Sequence, residues 1–157
     1  LLMAALNDLD VKVGDVLNAY ITAPITEKVW TVLGPEFGNE AGKSAIIVRA
    51  LYGLKSSGAA FRAHLASFMR QMGYTSCKAD PDLWYKAETR SSDGSRYYAY
   101  ILCYVDDILC IHDDPMTVLN RINDYMPLKP GSVGDPDICL GAKLRRTRLD
   151  NNVWPGA

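Results

Sequence analysis

Asp106 and Asp107 stand side by side inside an apolar run, between Tyr97-Tyr98-Ala99-Tyr100-Ile101-Leu102-Cys103 and Ile108-Leu109-Cys110-Ile111. Adjacent residues on one strand face opposite ways, so a strand seldom carries two neighbouring charges without a reason. Two strands joined by a bend at the acidic pair would lift both carboxylates out of the sheet, where they could share a divalent cation. That chemistry is metal-dependent phosphoryl transfer. The competing reading is a solvated, acidic hairpin tip, and Tyr104-Val105-Asp106-Asp107 alone does not separate the two.

Two-metal phosphoryl transfer needs several carboxylates converging on cations about 4 Å apart. Carboxylates suit magnesium because it is a hard ion that prefers oxygen ligands. A third carboxylate is available in Asp15, at the end of the alternating run Val11-Lys12-Val13-Gly14-Asp15-Val16, which reads as a strand. Taken alone, Asp15 is an ordinary strand-end aspartate.

The elements that must position these groups follow from pattern. Asn18 to Ile21 is a short helix or turn stopped by Pro24. Val29–Leu33 and Ala45–Ala50 are short strands, separated by a glycine-containing loop over Glu36–Ser44 after the Gly34-Pro35 break. Phe61, Leu65, Phe68, Met69 and Met72 recur at three- and four-residue steps, which makes Ser57–Met72 an amphipathic helix with Gly73 as its stop. Asp114-Pro115 is an N-cap followed by proline at the first helical position, opening a helix to about Tyr125. Asp93-Gly94 marks a turn before the strand that begins near Tyr97. Strands and helices alternate irregularly with hairpins, which points to an α+β domain with an antiparallel sheet packed on helices.

With 157 residues, 48% of them hydrophobic, the chain is long enough for one domain with a core. A net charge of −1 gives no global basic field for nucleic acid, so any such contact needs a local patch or protein beyond this chain. Cys77, Cys103, Cys110 and Cys139 lack zinc-ligand spacing. A bend at Asp106-Asp107 would set Cys103 opposite Cys110, leaving either a cross-strand disulfide or, as expected for an intracellular protein, buried reduced thiols. No apolar run approaches the roughly 20 residues that span a bilayer. Leu1 to Leu6 carries no basic leader, and the two ends read as cuts in something longer.

Three blocks, in this order, resemble reverse transcriptases: Asp15-Val16-Leu17-Asn18-Ala19-Tyr20, Leu51-Tyr52-Gly53-Leu54-Lys55 continuing to Phe61-Arg62, and Tyr104-Val105-Asp106-Asp107. The Leu-Tyr-Gly-Leu-Lys block and Lys78-Ala79-Asp80-Pro81 are similar to the copia-type class of long-terminal-repeat retrotransposons. The resemblance extends over about Val13 to Leu144. It implies a right-hand polymerase palm in residues 1–22 and 57–157, with part of the fingers in 23–56.

The function it implies is RNA-directed DNA synthesis, with dNTPs added to a primer 3′-hydroxyl on an RNA or DNA template by two Mg²⁺ ions. Asp15, Asp106 and Asp107 would be the catalytic carboxylates. Asp15, Asp106 and the Val16 carbonyl would be metal ligands, with Asp107 in support. Val16, Asn18, Ala19, Tyr20, Tyr52 and Gly53 would line the nucleotide, Tyr20 lying under the deoxyribose, and Lys55 could meet a phosphate. Cys139-Leu140-Gly141 departs from the family's aromatic-Leu-Gly, and Gly58 stands where proline is usual. His64 and His112 read as surface or helix-face residues.

The resemblance further implies partners in the rest of a Pol polyprotein (integrase and ribonuclease H), no membrane, and an intracellular setting in a cytoplasmic virus-like particle or the nucleus. Lacking basic fingers strands and a thumb, the isolated chain is expected to bind primer–template weakly and to show no measurable polymerase activity. Two alternatives remain at this point: a degenerate element copy that folds but does no chemistry, and an unrelated nucleotidyl-transfer enzyme, which would not carry the Leu51–Arg62 block.

Overall fold

The structure is a computed structural model that describes residues 1–139, 142 and 143. Its centre is a five-stranded antiparallel sheet in the order β1-β7-β6-β5-β4. The strands are β1 (Asp10–Asp15), β4 (Thr75–Ser76), β5 (Leu83–Thr89), β6 (Arg96–Tyr104) and β7 (Asp107–His112). A separate ribbon pairs β2 (Pro24–Val32) with β3 (Ser44–Arg49). Ile138–Cys139 and Ala142–Lys143 form a minimal pair, β8 and β9. The mixed architecture of antiparallel sheet on helices is the one expected.

Two helices supply most of the cover. In α3 (Ser57–Gln71), Phe61, Leu65, Phe68 and Met69 are buried, as the three- and four-residue spacing predicts. Gly73 follows it with φ of 88°, a conformation that favours glycine. In α4 (Pro115–Tyr125), Val118, Leu119 and Ile122 are buried, and the Asp114 carboxylate accepts the Thr117 N–H as the N-cap. Phe68 of α3 stacks on Tyr125 of α4, with ring centroids 4.0 Å apart. Along β6 the odd positions Tyr97, Ala99, Ile101 and Cys103 are buried, whereas Tyr98 and Tyr104 are exposed. That alternation puts one face of β6 in the core, whereas Ile108 to Ile111 of β7 are all buried, so that strand is covered on both faces.

The outer edge of β1 is not left open. Val13 and Gly134 exchange backbone hydrogen bonds at 2.9 and 3.2 Å, and Leu128 lies against Val16 in an isolated bridge. Gly14 permits this approach, since a Cβ there would sit 3.2 Å from a Leu128 methyl. Covering an edge in this way removes a template for unwanted strand pairing.

Several expectations change. Leu2–Leu6 forms a short helix, α1. Strand β2 begins at Pro24 rather than Val29, with an irregularity between the two, and Pro35–Glu40 is a 3₁₀ segment rather than a loop. Asn18 precedes α2 (Ala19–Thr22) in a left-handed conformation instead of belonging to it. His112 is not a surface residue: its Nδ1 accepts the Asp114 N–H at 2.8 Å, which places the ring proton on Nε2, 3.2 Å from the Tyr97 hydroxyl. Burial holds its pKa below the ordinary value.

The hairpin turn also moves by one residue. Tyr104 pairs with Asp107, so the two-residue loop is Val105-Asp106. Cys103 then faces Ile108 while Cys110 faces Ile101. The two cysteines are diagonal rather than opposite, and Cys77, Cys103 and Cys110 are free thiols. Burial pushes the Cys110 thiol up to about 12 and raises that of Cys103 as well, so both stay protonated and inert at neutral pH. Leu140 and Gly141 of the Cys139-Leu140-Gly141 motif lie outside the described residues.

Candidate active site

Strand register brings the carboxylates together. Asp15, the last residue of β1, is the direct partner of Asp107, the first residue of β7. Asp106 sits in the turn one residue earlier, and its carbonyl accepts the Val16 N–H at 2.8 Å. That bond ties the turn to the chain just beyond β1, so three acidic residues are fixed by main-chain contacts. Val105 has φ of 54°, an outlier for a β-branched residue. With a positive φ at the first loop position alone, the turn has the signature of type II′.

The electrostatics carry the same message. Burial first, then the negative fields of Asp106 and Asp15, hold the Asp107 carboxyl above its ordinary value, and Lys129 works against them. Lys129 Nζ lies 3.5 Å from Asp15 Oδ2. An ammonium thus stands beside Asp15, and its charge also acts on Asp107. Lys129 lies 114 positions from Asp15 in the chain and no motif picks it out; the Pro130-Gly131 turn signal after α4 was the available clue.

That turn is built to grip Asp15. Ser132 donates its N–H to the Lys129 carbonyl at 3.0 Å, and Gly131 has φ of 78°. With proline at the second position, Lys129-Pro130-Gly131-Ser132 matches a type II turn. One end donates the Lys129 N–H to the Asp15 carbonyl at 2.7 Å, and the other accepts the Asp15 N–H on Ser132 Oγ at 3.0 Å.

Val16 is buried. The bonds that tie its segment to residues 127–129 use the Asp15 carbonyl and the Leu17 N–H, not the Val16 carbonyl. Among the described residues no three His, Cys, Asp or Glu side chains form a ready-made metal cage. Magnesium is commonly held by one or two carboxylates together with waters and substrate phosphates. Hard oxygen donors carrying unbalanced negative charge fit that mode.

The other candidates fall into a second group. The Tyr20 ring packs 4.6 Å from Tyr52 and 6.1 Å, edge-on, from Phe61 of α3. Ala19 is buried at the start of α2, and the Asn18 carbonyl accepts the Ile21 N–H. Tyr52 is exposed, and Gly53 has φ of 94° with open space around it, so conformation rather than crowding asks for glycine there. Lys55 is exposed. Tyr20 and Tyr52 come from blocks 32 positions apart, and their contact was not legible in either block.

A corner of paired strand ends bearing acidic residues, on an antiparallel sheet backed by helices, defines a class of domain. The model of the family described as reverse transcriptase (RNA-dependent DNA polymerase) matches residues 1–130, and the chain belongs to that family. It is 28% identical over 112 residues to the Retrovirus-related Pol polyprotein from transposon RE1 of Arabidopsis thaliana, covering 70% of this chain and 7% of that protein. It is 26% identical over 111 residues to the corresponding polyprotein from transposon RE2 of the same plant, covering 69% and 7%. The chain therefore spans a small part of the length of both relatives. No helix among the described residues is long and apolar enough to cross a membrane.

Proposed function

We propose that this chain is the catalytic core of a copia-type retrotransposon reverse transcriptase, adding dNTPs to a primer 3′-hydroxyl on an RNA or DNA template. The observation that carries the reading is the Asp15–Asp107 pairing beside Asp106, in a chain of this family. Residues 1–22 and 57–157 correspond to a palm and residues 23–56 to part of the fingers. Two Mg²⁺ ions, when bound, activate the attacking hydroxyl and neutralise charge on the triphosphate and the leaving pyrophosphate.

The chain's own residues do the positioning. Asp15 and Asp106 present ligand oxygens, the Val16 carbonyl adds a backbone ligand, and Asp107 supports the pair. The hydrogen bonds at Asp15 and Val16 hold these groups in place before substrate arrives, which lowers the cost of reaching the reactive geometry. Tyr20 lies under the deoxyribose and excludes a 2′-hydroxyl, backed by Tyr52 and Phe61. Asn18 and Ala19 offer backbone N–H groups to the triphosphate, and Tyr52 and Gly53 begin the block that packs around the nucleotide and template. The partners are primer–template, dNTPs and the integrase and ribonuclease H of a Pol polyprotein, a relation supported by the relatives' names.

The test is primer extension by the chain joined to the flanking segments of its reading frame, on four homopolymer templates with magnesium. Incorporation of only the complementary dNTP is expected. Incorporation indifferent to template would contradict the reading, and none at all would favour a copy that folds without chemistry.

A further inference from the structure

Lys129 is more than a part of the turn that grips Asp15. Its main chain makes the structural contact, through the N–H donated to the Asp15 carbonyl at 2.7 Å. Its side chain does something separate, reaching back to place an ammonium 3.5 Å from Asp15 Oδ2. The acidic group it pairs with is Asp15, whose strand partner is Asp107 with Asp106 next to it, and the cation is carried by the turn that also fixes the Asp15 N–H.

We propose that Lys129 is a resident counter-cation of this corner, which occupies Asp15 while no divalent ion is bound and must be displaced from it by the first ion. The inference rests on the reading of Asp15 as a metal ligand. Lys129 would then set the ion concentration at which the site fills. Without it, the three carboxylates would repel one another and attract any cation. With it, part of that attraction is already satisfied, and an arriving divalent ion meets both a competitor for one oxygen and a like charge a few ångströms away. The ammonium is mostly exposed, which keeps the pair weak enough to open.

The experiment measures Mn²⁺ binding to the 157-residue chain by the electron paramagnetic resonance signal of the free ion. Wild type, Lys129→Met, Lys129→Arg and Asp15→Asn are compared at fixed ionic strength. Removing the charge should tighten Mn²⁺ binding about three- to tenfold, because an exposed pair and one screened like charge are together worth that much. Lys129→Arg should keep the wild-type affinity, and Asp15→Asn should weaken it. A lysine needed only for structure predicts the opposite for Lys129→Met, with binding weakened or unchanged.

Circular dichroism checks that each variant folds, and Lys129→Gln makes the same comparison if the methionine variant does not. If wild type binds in an Asp15-dependent way and neither neutral variant binds more tightly, the inference is overturned while the metal-site reading stands. If no variant of Lys129, nor wild type, shows Asp15-dependent binding, both fall.

Discussion

The corner where β1 meets β7 and the β2–β3 ribbon are both antiparallel pairings, yet they are held in different ways. At the corner, among the described residues, β7 lies on one side of β1, residues 127–134 run along its other edge, and α4 packs against both strands. The ribbon pairs its own two strands and touches the rest of the described fold through α2 and α3. Trp30 pairs with Ile46, and Val32 and Val48 share their face, all of them exposed. Polar acidic residues are thus anchored where the fold is most constrained, while large apolar residues face solvent where it is least constrained. The difference shows that precision at this site comes from register and main-chain bonds, and that burial of apolar side chains serves the sheet, not the ribbon.

The largest effect that could break this contrast is on stability. Ile101, at the centre of β6, is 0% exposed, whereas Trp30 is 65% exposed. Ile101→Ala should cost about 2–5 kcal/mol by losing burial and leaving a cavity. Trp30→Ser should stay within about 0.5 kcal/mol. Urea unfolding midpoints check both, read at an unchanged slope. A Trp30→Ser cost that rivals Ile101→Ala would mean the ribbon is packed in solution.

A smaller effect sharpens the account of the corner itself. Asp107 is held above its ordinary value in the folded chain by burial, Asp106 and Asp15. The folded state therefore binds that proton more tightly than the unfolded state. Its contribution favours folding below the unfolded pKa and is lost as pH rises through the raised folded value. Asp107→Asn should accordingly melt slightly higher than wild type at neutral pH. That advantage should shrink as pH falls to about 4, where the carboxyl begins to protonate in both states. An advantage that persists or grows on acidification would show that the strain at Asp107 is not electrostatic.

Periodicity made much of the fold legible. The spacing of Phe61, Leu65, Phe68 and Met69 placed α3, Asp114-Pro115 placed the start of α4, and alternation delivered Asp15 to a strand end. The turn was misplaced by one residue because nothing at Val105 signals a positive φ; a β-branched residue argues against one. That single step undid the expected Cys103–Cys110 facing, since register on a strand has period two. Ordered blocks identified the carboxylates, but not what surrounds them. Lys129, Ser132 and the Tyr20–Tyr52 contact depend on which distant segments the fold brings alongside, and no local pattern encodes that.

The central claim is that these carboxylates carry out nucleotidyl transfer, and Asp106→Asn tests it most directly. The change removes a ligand charge at nearly constant shape, and the Asp106 carbonyl that receives the Val16 N–H is untouched, so the turn should persist. Extension of oligo(dT) on poly(rA) with magnesium is measured for wild type and variant, each joined to its flanking polyprotein segments. Loss of such a ligand should remove several kcal/mol of transition-state stabilisation, and the account predicts a fall of more than about a hundredfold. An Asp106→Asn protein that folds and keeps more than about a hundredth of the wild-type rate would contradict it.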